Sequence, residues 1–158
     1  MHIRKAEEKD IPGILNLLSQ VLELHAALRP DIFIPGTTKY TKSELTFMIN
    51  EESRRIYVAA DENDNVAGYA FCEIRQQKSN NFMVPFTSIY IDDLCVDETV
   101  RGKHIGRQLF NHVRREAYDM GCYELTLNVW EGNDHARKFY ENMGFHPKST
   151  TMEYILGK

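Results

Sequence analysis

From Phe86 to Trp130 the chain reads FTSIYIDDLCV, then DETVRGKHIGRQLFNHVRREAYDMGC, then YELTLNVW. The outer stretches are rich in β-branched and aromatic residues and predict strands. The middle carries Ile105, Leu109, Phe110, Val113 and Ala117 at spacings of three and four, which predicts a helix over 104–119 closed by Gly121. The connection is long enough for a parallel βαβ crossover. The fold is therefore expected to hold a parallel strand pair with a helix laid on the sheet.

The flanking sequence fills in the rest. His2–Ala6 predicts a first strand. Ile11, Ile14, Leu15, Leu18, Val21, Leu22 and Leu28 form a helical stripe, with Asp10 and Pro12 at its start. RPDIFIPG breaks that pattern, and TKSELTFMINEE predicts a second, short helix. RIYVAAD and VAGYAFCEIR flank the turn DENDN as a hairpin, and KSNNFMVP is a polar loop. NDHARKFYENM predicts a helix closed by Gly144, and STTMEYIL a last strand. The order is β-α-α-β-β-β-α-β-α-β, without repeat, low-complexity stretch or linker. Residues 1–158 are expected to form a single α/β domain, a mixed sheet with helices on both faces.

The charge balance narrows the function. A net charge of −4 argues against broad nucleic-acid binding. Against that background Arg101, Lys103, Arg107, Arg114 and Arg115 form a local basic patch. Cys72, Cys95 and Cys122 are odd in number and widely spaced, with no CxxC, which points to a reducing cytoplasm. No signal-peptide pattern, no run of roughly 20 apolar residues and no HExxH occur, so neither membrane nor metal is expected.

The stretch DLCVDETVRGKHIGRQLF joins a strand end, a glycine-bearing loop and a helix start. First-turn N–H groups lack intrahelical partners, the helix dipole adds positive charge, and glycine admits close approach. A glycine turn before a solvated basic helix reads the same way. GxxxxGK[ST] and GxGxxG are both absent, which excludes the familiar nucleotide loops.

LCVDETVRGKHIGRQLF resembles the acetyl-coenzyme A loop of the GNAT superfamily of N-acetyltransferases, Arg/Gln-x-x-Gly-x-Gly/Ala after a strand. Arg101 and Gly106 match its ends, and His104 stands where the family usually has Gly. NVWEGNDHARKFYENMGF is similar to the family's C-terminal motif at Asn133, Ala136, Phe139, Tyr140, Gly144 and Phe145. IRKAEEKDIPGIL is similar to its first strand and helix.

The resemblance implies a sheet of six to seven strands, mostly antiparallel, that splays apart after the strand ending at Val96. Acetyl-CoA is the implied co-substrate, without a metal. Its pantetheine would pair with the backbone of Leu94, Cys95 and Val96, and its diphosphate would rest on Arg101, Gly102, Lys103, His104, Ile105, Gly106 and Arg107. The Leu94 N–H would stabilise the oxyanion, Asn133 would bond pantetheine, and Tyr140 would protonate the leaving thiolate. Asp92 is the candidate base. Strict alternation puts Asp92 with Tyr90 and Leu94 on one face and Asp93 with Ile91 and Cys95 on the other, and a bulge would swap that parity. Asp93, Glu73 and Phe33 are candidates for acceptor binding, with His25, Arg29 and Asp31 near Phe33.

The expected function is N-acetyl transfer to a primary amine, small molecule or peptide, by direct attack in a ternary complex. The alternative is a non-catalytic acyl-CoA-binding sensor or regulatory module. A homodimer is compatible with the resemblance; no nucleic-acid or membrane partner is expected.

Overall fold

A computed structural model describes residues 1–100 and 102–157. The chain divides into two compact units, residues 1–128 and 129–158. The first contains β1 (His2–Lys5), α1 (Ile11–Leu28), α2 (Lys42–Ile49), β2 (Arg54–Ala60), β3 (Val66–Gln77), β4 (Phe86–Val96), α3 (Ile105–Asp119) and β5 (Glu124–Leu127). The sheet order is β1-β2-β3-β4-β5. Neighbours are antiparallel except β4 and β5, which are parallel. The expected crossover through α3 is present.

Helices cover both faces. The α1 stripe Ile11, Ile14, Leu17, Leu18 packs with Leu45 and Met48 of α2 on Ile56, Val58, Tyr69, Phe71 and Cys95. With the turn before it, Glu8–Leu28 has the length and hydropathy to cross a membrane, which the sequence reading had not expected of any segment. Its apolar stripe lies in the core instead. On the opposite face α3 buries Ile105, Leu109, Phe110, Val113 and Ala117. Gly68 permits this approach: a Cβ there would stand 2.9 Å from the Cys95 carbonyl oxygen and 3.1 Å from Leu109.

Local chemistry starts the helices. Thr41 and Glu44 form a capping box at α2, each side chain taking the other's backbone N–H. Ahead of α1, buried Asp10 accepts the Glu7 N–H and two bonds from the Arg4 guanidinium at 2.8 and 2.9 Å. Arg4 also reaches Asp64 in the β2–β3 turn at 2.9 Å. The Arg4 guanidinium thus ties β1 to the start of α1 and to the β2–β3 turn.

The second unit contains α4 (Asp134–Asn142). The Asn133 side chain caps it by accepting the Ala136 N–H at 3.3 Å. Gly144 closes it at φ +105, with the Phe145 N–H donating to the Tyr140 carbonyl. The last strand expected over 149–156 is not formed: those residues lie in no strand. The described sheet therefore has five strands rather than six or seven. An alternating segment becomes a strand only where a neighbour takes its backbone groups, and alternation alone does not supply one.

Candidate functional site

β4 is paired on its two sides over different lengths. Against β3 it is paired from Phe86 to Val96. Against β5 the pairing runs from Ser88 to Ile91 and stops. Residues 92–96 therefore continue with no strand on that side among the described residues, and their backbone groups there are open to an extended ligand. The last β4–β5 pair is Ile91 with Leu127, five residues before the end of β4 at Val96.

At the same point the strand bulges. Phe71 pairs with Asp93 and Cys72 with Ile91, so Asp92 is the extra residue. Strict alternation fails here. Asp93 and Cys95 share the face of Tyr90, opposite Phe71 and Tyr69, and Leu94 falls with Ala70 on the other face. The bulge brings both carboxylates to one place, because Asp92 bonds Tyr40, whose ring stacks on Phe71 at 5.6 Å.

The two carboxylates differ in setting. Asp92 accepts the Tyr40 hydroxyl at 2.6 Å and the Lys39 ammonium at 2.9 Å. Asp93 accepts the Tyr69 hydroxyl at 2.7 Å. Burial pushes the Asp93 pKa up to about 6, against the Tyr69 bond and the Leu94 N–H, which favour its charge. Burial and the neighbouring carboxylates push both phenols, Tyr40 and Tyr69, well above their ordinary value, so they remain donors. Burial raises the Cys72 thiol to about 12, and Cys95 is buried in the core, which leaves neither disposed to act as a nucleophile.

Beyond Val96 the chain reaches the loop. Arg101 lies outside the described residues. Gly102 has φ +90, with nothing within 4 Å of where a Cβ would stand. His104 occupies the N-cap position of α3 in the left-handed region, φ +58, the conformation that glycine adopts freely. Lys103, His104 and Arg107 are exposed, Gly106 is half-buried and Ile105 faces the core. Among the described residues no carboxylate pairs with Lys103 or Arg107. An open turn, first-turn amides and two free cations fit a diphosphate group.

The remaining predicted residues each have local partners. Glu73 pairs with Arg75 at 3.1 Å, and Arg75 lies 3.9 Å over the Tyr90 ring. Arg29 pairs with Asp31 at 2.7 Å, and His25 meets Phe33 at 5.2 Å between rings, so this segment folds back upon itself. Asn133 caps α4 with its side chain, and Tyr140 stands in T-shaped contact with Phe145 at 5.7 Å. Lys39, Tyr40 and Tyr69 were not identified from sequence. Their partners are 24 to 53 residues away, and no local pattern marks them. Beside Tyr40 a shallow depression of about 390 Å³ is lined by Ser43, Glu44, Phe47, Met48, Glu51 and Arg54.

Comparison with known proteins gives a consistent result. The family model described as "Acetyltransferase (GNAT) family" matches residues 19–145. YwnH of Bacillus subtilis (strain 168) is 29% identical over 92% of this chain and 83% of its own. The thialysine N-epsilon-acetyltransferase of Bos taurus is 27% identical over 90% of this chain and 82% of its own. The crystal structure of a mutant BH1408 protein from Bacillus halodurans superposes with a TM-score of 0.95 at 31% identity, covering 99% of each chain.

Proposed function

The chain belongs to the GNAT acetyltransferase family, and from that premise we propose that it moves the acetyl group of acetyl-CoA to a primary amine by direct attack in a ternary complex. The family match supports acetyl transfer. The observation that carries the mechanism is the open backbone at residues 92–96, which ends at the glycine-bearing, cationic loop before α3. A pantetheine arm would lie along that open edge as an added strand, with its diphosphate on the amides of residues 102–107.

The acceptor amine must be neutral to attack. Its ammonium form first gives one proton to solvent; the neutral nitrogen then bonds to the thioester carbon, the carbon–sulfur bond breaks, one further proton leaves nitrogen and one is delivered to sulfur. The carboxylates at the bulge take the further proton from nitrogen. Asp92 already accepts from a lysine and a tyrosine, whereas burial pushes the Asp93 carboxyl up to about 6. That contrast moves the base from Asp92, the sequence expectation, to Asp93, and leaves Asp92 to hold the Lys39–Tyr40 segment. Tyr140 delivers the proton to sulfur. A phenol of ordinary pKa near 10 is matched to a thiolate. The acceptor is a cationic amine, in keeping with a carboxylate pair at the site. The relative from Bos taurus is named for the N-epsilon amine of thialysine.

Calorimetry with acetyl-CoA, followed by CoA-thiol release on a panel of amines, tests the reading. Tyr140→Phe is expected to lower kcat at least tenfold with acetyl-CoA affinity unchanged. Asp93→Asn is expected to remove the acid limb of kcat/KM near pH 6. Tight binding with no turnover on any amine would favour an acyl-CoA-binding module instead. Absence of binding would overturn the coenzyme placement.

A further inference from the structure

Two neighbouring residues just before α2 hold the same carboxylate. Tyr40 donates its hydroxyl to Asp92 at 2.6 Å, and its ring lies flat against buried Phe71 of β3, 5.6 Å away at an interplanar angle of 5°. Lys39 places Nζ 2.9 Å from the other Asp92 oxygen and 5.6 Å from the centre of the Tyr40 ring. Tyr40 is thereby anchored on the sheet, and the lysine beside it is delivered to the bulge.

The two contacts differ in hold. Burial and Asp92 keep the Tyr40 phenol a donor. The Lys39 side chain is 46% exposed, against 16% for Asp92. An ion pair with one partner half in water is held weakly, so the ammonium leaves the carboxylate more readily than Tyr40 does. The charge of Lys39 is also felt at Asp93, where it favours the ionised carboxyl. One primary amine thus acts on both carboxylates of the bulge. With the diphosphate on residues 102–107, a pantetheine arm along residues 92–96 runs back from Val96, and its thioester comes to the Asp92 end. Lys39 is held at that end. An amine fixed beside a thioester needs no encounter from solution, and such a tethered pair reacts as if at very high concentration.

We propose, resting on the coenzyme placement that brings the thioester to Asp92, that Lys39 is an acetylation site of the chain itself, its ε-amine taking the acetyl group from acetyl-CoA bound to the same copy. The ammonium gives one proton to solvent. The neutral nitrogen bonds to the thioester carbon and the carbon–sulfur bond breaks. A further proton passes from nitrogen to the Asp93 carboxylate and on to solvent, and sulfur takes up one proton to leave as the thiol of CoA. The product, Nε-acetyl-Lys39, carries no charge. Its pair with Asp92 is lost, which opens that carboxylate oxygen to a cationic acceptor.

The full chain, confirmed by mass to carry no acetyl group, is incubated with trideuteroacetyl-CoA and no added amine, and its lysines are read by peptide mass spectrometry. Label is expected on Lys39 at least tenfold above Lys9, which also meets a carboxylate, Asp64, but in the β2–β3 turn. The labelled fraction per unit time is expected to be unchanged when the protein is diluted tenfold, as transfer within one copy requires. Lys39→Arg keeps a cation for Asp92 yet offers no neutral amine, and is expected to lose the label with an unchanged circular dichroism spectrum. Equal labelling of Lys9 and Lys39, or the same pattern in urea, marks unassisted chemical acetylation and overturns self-acetylation. So does labelling that slows with dilution, which marks transfer between copies. Calorimetry and CoA-thiol release on the amine panel are run on the same preparation. Binding and turnover with no label on Lys39 overturn self-acetylation alone. Absence of binding overturns the coenzyme placement and self-acetylation with it.

Discussion

At Asp93 a titrating group can be tested without knowing the acceptor. Its folded pKa, about 6, lies above the ordinary value of 3.8. The folded state therefore binds the proton more tightly, and between about pH 4 and pH 6 stability falls as pH rises. Relative to Asp93→Asn, the wild-type Tm is expected to gain as pH is lowered from 7 to 5, read by calorimetry across that range. A parallel course of the two curves would mean that the carboxyl is solvated. His104 offers a second measurement. Its left-handed backbone is strained for any residue with a Cβ, most of all a β-branched one. His104→Val is expected to cost about 1–2 kcal/mol in urea unfolding, and His104→Gly to change stability by less than about 1 kcal/mol.

Among elements, the seating of α3 matters most, because its N-terminus carries the loop proposed to hold the coenzyme. Gly68 sets that seating through its 2.9 Å approach to the Cys95 carbonyl oxygen. Backbone cannot yield as a side-chain tip can. Gly68→Val is expected to cost about 1–3 kcal/mol through overpacking and to weaken acetyl-CoA binding as α3 shifts. A variant with wild-type stability and affinity would show that α3 is free to move. The segment leading into α2 is the second case. Thr41 and Glu44 cap the helix, and Tyr40 and Lys39, immediately before the cap, reach Asp92. A local helix signal thus fixes the end of a strap whose other contact is on a distant strand.

Across the whole molecule, pH acts in opposing directions. Burial works against the charge of Asp10, but the Arg4 bonds and the Glu7 N–H outweigh it and hold its carboxyl below the ordinary value. Lys9 and Arg4 hold Asp64 at about 2. Both contribute stability that is present above about pH 4 and lost as pH falls through their folded values. Burial also lowers His25 and His112, which favours their neutral forms and disfavours folding as pH falls through 6.5. Asp93 alone among these groups gains on acidification. Arg4 is the shared element. Arg4→Ala leaves the Asp10 carboxylate buried without its cation, and is expected to cost about 3–5 kcal/mol at pH 7. The loss should shrink toward pH 3, as Asp10 protonates, when denaturant midpoints are compared.

The sequence by itself determined the elements from β1 to α4, their order, the parallel crossover and the family. Each of these is written in short-range periodicity, in turn residues or in a motif whose spacing survives without its context. The α1 stripe, the Thr41 cap, Gly121 and Gly144 are all local signals of this kind. Tertiary structure decided how the strands meet. The bulge at Asp92 depends on the register against β3, and it reversed the faces that strict alternation assigns to Asp93 and Leu94. The Tyr40–Asp92 and Tyr69–Asp93 bonds join residues far apart in the chain, and the raised Asp93 pKa follows from burial that only packing creates. The segment 149–156 shows the same limit from the other side. Its alternation is plain in the sequence, yet whether it becomes a strand depends on a neighbour that the pattern cannot supply.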